Sequence, residues 1–154
     1  MAALAGYGDI NTAPTARATG SVPNTNTTTR VQSRNFVLVV DDDLGMLRAI
    51  KRLLRQHDYE SILFSSAQAF KSHADFEKAA CVILDIDLRD GSGIDLREDL
   101  KAAGVSMPVI FITGNANPKV REAAVASGCV AFLTKPFSAH ELIEPLKEAS
   151  AGRS

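Results

Sequence analysis

The sequence predicts a single α/β domain built as a doubly wound, five-stranded parallel sheet with helices on both sides, a (βα)5 sandwich, and three observations predict it. Short apolar runs alternate five times with segments of helical periodicity between Phe36 and Ala149. Each run is continuous rather than alternating, as expected of strands covered on both faces in a parallel sheet. Polar side chains stand directly after these runs: Asp41 and Asp42 after FVLVV, Asp85 after CVIL, Thr113 after VIFI and Lys135 after AFLT. In such sheets a ligand site lies beyond the carboxyl ends of the strands, so the topology gathers distant residues into one place.

FVLVV is the first strand, and DLGMLRAIKRLLRQH the first helix, with Leu44, Leu47, Ile50, Leu53 and Leu54 on its apolar face and Arg and Lys opposite. ESILF is the second strand, after which Ser65 or Ser66 caps a helix reaching about Glu77. CVILD gives the third strand, and GIDLREDLKAA a helix closed at Gly104. PVIFI follows, with Pro108 tolerated as its first residue. The fourth helix, NPKVREAAVAS, takes Asn117 as cap, Pro118 at its first position and Gly128 after its last turn. VAFLT is the fifth strand. A final helix runs from about Ser138 to Ala149, and Pro145 within it predicts a kink or shortened last turns.

With 154 residues and 45% hydrophobic content the chain holds one ordinary domain. Its formal charge of -1, from 17 basic and 18 acidic residues, gives no bulk attraction for nucleic acid or an anionic membrane. No apolar stretch approaches the roughly 18 to 20 residues needed to span a bilayer, and the amino terminus has no basic-then-apolar leader, so a cytoplasmic protein is expected. Residues 1–34 carry few large apolar side chains to offset the entropy of ordering, and read as a disordered tail before a domain at 35–149 and a short tail at 150–154. The domain is expected to stand alone, without an output module. Cys81 and Cys129, with no CxxC, read as small buried hydrophobes. His57, His73 and His140 have no partner at ligand spacing and fall on surface helices.

Three carboxylates brought together raise one another's pKa, and a divalent cation relieves the repulsion. All-oxygen ligands favour Mg²⁺, with Mn²⁺ as a substitute. Asp42 and Asp85 are assigned as direct ligands, Asp41 as a ligand through water, and the backbone carbonyl of Asp87 as a further donor. Lys135 is expected to pair with Asp85 at rest and with a phosphoryl oxygen when one arrives. Thr113 offers a hydroxyl, and the amides of Gly114 and its neighbours offer phosphate donors. These parts match in-line transfer of a phosphoryl group to Asp85, giving a labile acyl phosphate suited to a transient signal. Taken singly, a DD pair, a loop threonine and a KP step are common loop features. Their joint appearance at successive strand ends is the signal.

The same residues resemble the receiver domain of two-component response regulators, the CheY-like superfamily, over about residues 35–149. VVDDD carries the acidic pair, VILDIDLRDGSG carries Asp85 and Gly93, FITGN carries Thr113, and FLTKPF carries Lys135. The wording FITGNANPKVREAAVASG is most similar to receivers that elsewhere precede helix-turn-helix domains. The resemblance implies strand order 2-1-3-4-5 and phosphorylation of Asp85 by a histidine kinase or phosphotransfer protein. It also implies a switch in which Thr113 moves inward and Phe132 follows, altering the face made by the fourth helix, fifth strand and fifth helix. Catalysis would be limited to Mg²⁺-dependent self-phosphorylation and autodephosphorylation, and the protein would be a monomer or weak homodimer acting on a downstream target. Two positions depart from the family pattern: Arg89 stands where proline is usual, and Asp87 is acidic beside the water path it shares with Asn115. Two rival readings are a phosphorylation-independent scaffold and a haloacid-dehalogenase-type phosphatase. The phosphatase reading rests on DID after a strand, although that motif falls on the third strand rather than the first.

Overall fold

The computed structural model describes residues 36–72, 76–115 and 117–152. The expected disorder of residues 1–34 and the helical position of His73 lie outside the described residues. Twelve elements follow in order: β1 (Phe36–Val40), α1 (Leu44–Gln56), β2 (Glu60–Phe64), α2 (Ala67–Lys71), β3 (Cys81–Asp85), β4 (Asp87–Leu88), β5 (Gly91–Ser92), α3 (Gly93–Ala102), β6 (Val109–Thr113), α4 (Pro118–Ala126), β7 (Ala131–Thr134) and α5 (Ala139–Gly152). The main sheet has five strands in the order β2-β1-β3-β6-β7, all parallel. β4 and β5 form a separate antiparallel hairpin. With that hairpin set aside, the order is the expected 2-1-3-4-5.

Alternate residues of the strands feed two cores, one on each face of the sheet. On one side Val39, Ile83 and Ile112 meet Leu47, Ile50 and Leu54 of α1 and Leu142 and Leu146 of α5. On the other, Leu38, Leu84 and Phe111 meet Phe70 of α2 and Leu96 and Leu100 of α3. Burial on both faces is why these strands read as unbroken apolar runs. Cys81 sits fully inside, whereas Cys129 is half-buried, its thiol pKa pushed up by burial; neither is in a disulfide. His57 and His140 are exposed, as expected.

Capping follows the sequence closely. Ser66 starts α2, Ser92 starts α3 and Asn117 starts α4, each accepting a backbone N–H from the first turn. Ser138 and Glu141 form a reciprocal capping box before α5. Asp43, not singled out in the sequence, caps α1 by accepting from Gly45 and Met46.

Three expectations require correction. Leu44, the first residue of α1, is 57% exposed rather than on its buried stripe. α2 stops at Lys71 instead of reaching Glu77: Ser72 closes it by donating its N–H and hydroxyl to the Gln68 carbonyl. Of the two effects expected of Pro145, the shortening does not occur: α5 continues seven residues beyond it to Gly152. Leu146 and Ala149 are buried against the sheet side of that helix, and their burial, at roughly 25 cal/mol per Å², outweighs one lost backbone hydrogen bond.

Candidate functional site

Parallel pairing extends one residue past the strands and fixes where each polar side chain emerges. Asp41 N–H donates to the Phe64 carbonyl at 3.0 Å, Ile86 N–H to Ile112 at 2.9 Å, and Lys135 N–H to Thr113 at 2.8 Å. The first residues after β1 and β7 are thereby tied to the strands beside them, at the same edge as the last residue of β3. The Lys135–Pro136 peptide bond is cis.

Lys135 Nζ lies 2.9 Å from Asp41 Oδ2 and 3.2 Å from Asp85 Oδ2. The expected pairing with Asp85 is present, but the closer partner is Asp41, which is fully buried. The other oxygen of each carboxylate is also held: Asp43 N–H donates to Asp41 Oδ1 and Asp87 N–H to Asp85 Oδ1. Asp42 is only half-buried and accepts the Arg89 N–H at 2.9 Å.

Burial raises the Asp85 carboxyl pKa from 3.8 to about 6; the Asp41 charge adds to the rise, while the Asp87 N–H and Lys135 oppose it. For Lys135, burial pulls downward but is outweighed by the hydrogen bond from the ammonium to Asp41 and by the charges of Asp85 and Asp41, so its pKa is raised. One ammonium among three carboxylates leaves the edge with excess negative charge. Carboxylate oxygens of Asp41, Asp42 and Asp85 lie within 4.8 Å of one another. An all-oxygen set this compact fits Mg²⁺, with Mn²⁺ as the nearest substitute.

Around this centre the loops are individually anchored. Gly93 packs against the end of β3: a Cβ there would sit 2.3 Å from the Asp85 carbonyl oxygen. Asp90 accepts the N–H groups of Ala67 and Gln68 at 3.0 Å, which lowers its pKa and ties the β4–β5 hairpin to the start of α2. Nothing in the sequence marked Asp90, since its partners lie 23 and 22 residues away. Arg89, which stands where proline is usual, makes a charged contact, with Nε 3.7 Å from Asp42 Oδ2 on an otherwise exposed side chain. A groove of about 730 Å³ opens beside it, lined by Asp42, Leu44, Ser66 and Asp90 among others.

Thr113 is fully buried, and its hydroxyl donates to Asp87 Oδ2 at 2.7 Å while accepting the Asn115 N–H at 3.0 Å. Gly114 is exposed, and a Cβ there would meet nothing within 4 Å. Phe132 is half-buried on β7, with the Arg121 guanidinium 5.2 Å from its ring centroid.

Residues 37–147 match the profile of the response regulator receiver domain. The chain belongs to that family. Response regulator protein TodT of Pseudomonas putida strain F1 is 34% identical over 115 residues, covering 75% of this chain and 51% of that protein. Nodulation protein W of Bradyrhizobium diazoefficiens is 32% identical over 122 residues, covering 79% and 54%. The chain thus spans about half the length of the curated relatives it matches. Among solved structures, a CheY-like receiver domain protein from Methanospirillum hungatei superposes with a TM-score of 0.69 at 26% identity, covering 77% of this chain and 95% of that one. FixJ-N gives 0.70 at 28%, covering 75% and 93%.

Receiver domains belong to two-component signalling and are not enzymes in the ordinary sense; as a group they bind Mg²⁺ at an acidic pocket of this kind. The fold and the relatives do not favour the phosphatase reading. Among the described residues, no helix of this receiver is long and apolar enough to cross a membrane.

Proposed function

We propose that this receiver accepts a phosphoryl group on Asp85 from a histidine kinase or histidine phosphotransfer protein and signals through the surface that Thr113 and Phe132 control. The observation that carries the reading is the Asp85 carboxylate itself. It ends β3, 3.2 Å from the Lys135 ammonium and with an oxygen within 4.8 Å of those of Asp41 and Asp42.

With a pKa of about 6, Asp85 is ionised at neutral pH and can act as a nucleophile. Its oxygen forms the new P–O bond as the P–N bond to the donor imidazole breaks, and the bonding pair leaves on the imidazole nitrogen. Mg²⁺, when bound, supplies positive charge to the transferring oxygens. Asp42 and Asp85 would hold it directly, Asp41 through water, and the Asp87 backbone carbonyl would be a further protein donor. Lys135 compensates one phosphoryl oxygen, and Thr113 and the Gly114 amide donate to others. Water attack on the acyl phosphate resets the domain. The receiver is taken as residues 35–149, working in the cytoplasm on a downstream protein target.

Incubation with Mg²⁺ and acetyl phosphate or phosphoramidate is expected to add one phosphoryl group to the wild type and none to Asp85→Asn, read by intact-mass spectrometry. Chelation of the metal should abolish the adduct. A wild type that stays unmodified would overturn the proposal in favour of a phosphorylation-independent scaffold.

A further inference from the structure

The Thr113 hydroxyl has one proton, and the structure shows where it goes. Asp87 Oδ2 is 2.7 Å away, whereas the competing acceptor, the Asn115 carbonyl, is at 3.4 Å. The bond to a carboxylate is the shorter and the charge-assisted one. Asp87 is itself held in place, since its N–H donates to Asp85 Oδ1 and its backbone pairs with Ser92 across the hairpin. Among the described residues no cation forms an ion pair with Asp87, and the Thr113 hydroxyl is the side-chain donor that satisfies it.

In the proposed function a phosphoryl group on Asp85 takes the Thr113 hydroxyl as a donor. The threonine cannot serve both acceptors. We propose that Asp87 is a positioning residue that holds the Thr113 hydroxyl in the resting arrangement and thereby sets how readily phosphorylation switches the domain. This inference rests on the reading of Asp85 as the phosphoryl acceptor. It assigns the side chain of Asp87 a role separate from its backbone carbonyl, which any substitution at that position retains. In the switched state Asp87, already exposed, exchanges Thr113 for water, so the restraint is partial rather than prohibitive. A charge-assisted hydrogen bond of this kind corresponds to about a tenfold bias toward the resting arrangement.

Amide resonances of Thr113, Gly114 and Phe132 provide the test, followed as Mg²⁺-loaded protein is titrated with beryllofluoride. In Asp87→Ala the free-state resonances should lie part-way along the line joining the free and saturated wild-type positions, with the switching equilibrium raised about tenfold. Asp87→Asn, which keeps a neutral acceptor, should fall between the two. The displacement should vanish when Asp87→Ala is introduced into a Thr113→Ala background, an outcome that a general loosening of the hairpin would not produce. Free-state resonances of Asp87→Ala that coincide with those of a responsive wild type, or a displacement that survives Thr113→Ala, would overturn the restraint alone. A wild type that neither responds to beryllofluoride nor forms the phosphoryl adduct would remove the acceptor reading and the restraint with it.

Discussion

The centre of the sheet and its β7 edge are built to different tolerances. β3 is buried along its whole length, and Asp41 and Asp85 emerge from the buried β1 and β3 already clamped by backbone N–H groups and Lys135. β7 is half-buried through Leu133 and exposed at Thr134, and Phe132 upon it is met from outside by an exposed arginine. Under the proposed function, the half that would perform the chemistry must not move, because in-line transfer depends on fixed geometry. The half that would report it needs two arrangements of similar free energy, which a fully packed strand does not allow. Thr113 lies where the two halves meet, at the end of a buried strand but hydrogen-bonded to an exposed carboxylate.

The largest break of this contrast comes from adding one methyl group on each side. Gly93→Ala drives a Cβ to 2.3 Å from a backbone oxygen of the central strand, where no flexible side chain can yield. About 3 kcal/mol or more should be lost. Gly114→Ala meets open space and should change stability by less than about 0.5 kcal/mol. Urea unfolding of both variants measures the difference, and equal midpoints would mean that the centre is no more rigid than the loop.

The same division governs what the sequence disclosed. The buried strands were legible because two covered faces leave an unbroken apolar run, and the site residues because they stand one step beyond those runs. The edges were less legible. Pro145 suggested a kinked or shortened helix, yet Leu146 and Ala149 hold α5 on the sheet, and its length shows that tertiary burial overrode a local breaker. Leu44 fitted the helical stripe in phase but lies too near the helix start to reach the core. The Asp87–Thr113 and Asp90–α2 hydrogen bonds join residues more than twenty positions apart with no periodicity to betray them. A polar pair of this sort becomes visible only once the hairpin between β3 and α3 is folded.

An effect of intermediate size tests the charge balance at the centre. The folded state holds a proton on Asp85 more tightly than the unfolded state does, with a pKa of about 6 against 3.8. This contribution is therefore fully present below about pH 4 and is lost as pH rises through 6. The shift corresponds to at most about 3 kcal/mol. In metal-free protein at pH 7, Asp85→Asn should be the more stable form by about 1–3 kcal/mol, and its advantage should shrink toward zero near pH 4. Adding Mg²⁺ at pH 7 should raise the wild-type melting temperature and leave the variant nearly unchanged. Thermal melts across that pH range, with and without metal, check both statements; an advantage that grows on acidification would contradict the assigned burial of charge.

The smallest effect belongs to the edge. Arg121 sits 5.2 Å from the centroid of Phe132. At an exposed position such a cation–π contact contributes about 0.5–1 kcal/mol, little enough that a reporter side chain can give it up. Arg121→Ala should lower stability by no more than that amount. If the contact belongs to the resting arrangement alone, its loss favours the switched one, and the beryllofluoride midpoint should fall about two- to fivefold. Phe132→Leu, which keeps apolar bulk without the aromatic face, should show the same stability loss and no further change on adding Arg121→Ala. A midpoint that is unmoved while stability falls would mean that Arg121 follows Phe132 through the switch. In that case Asp87 alone, at the boundary between the two halves, would hold the resting state.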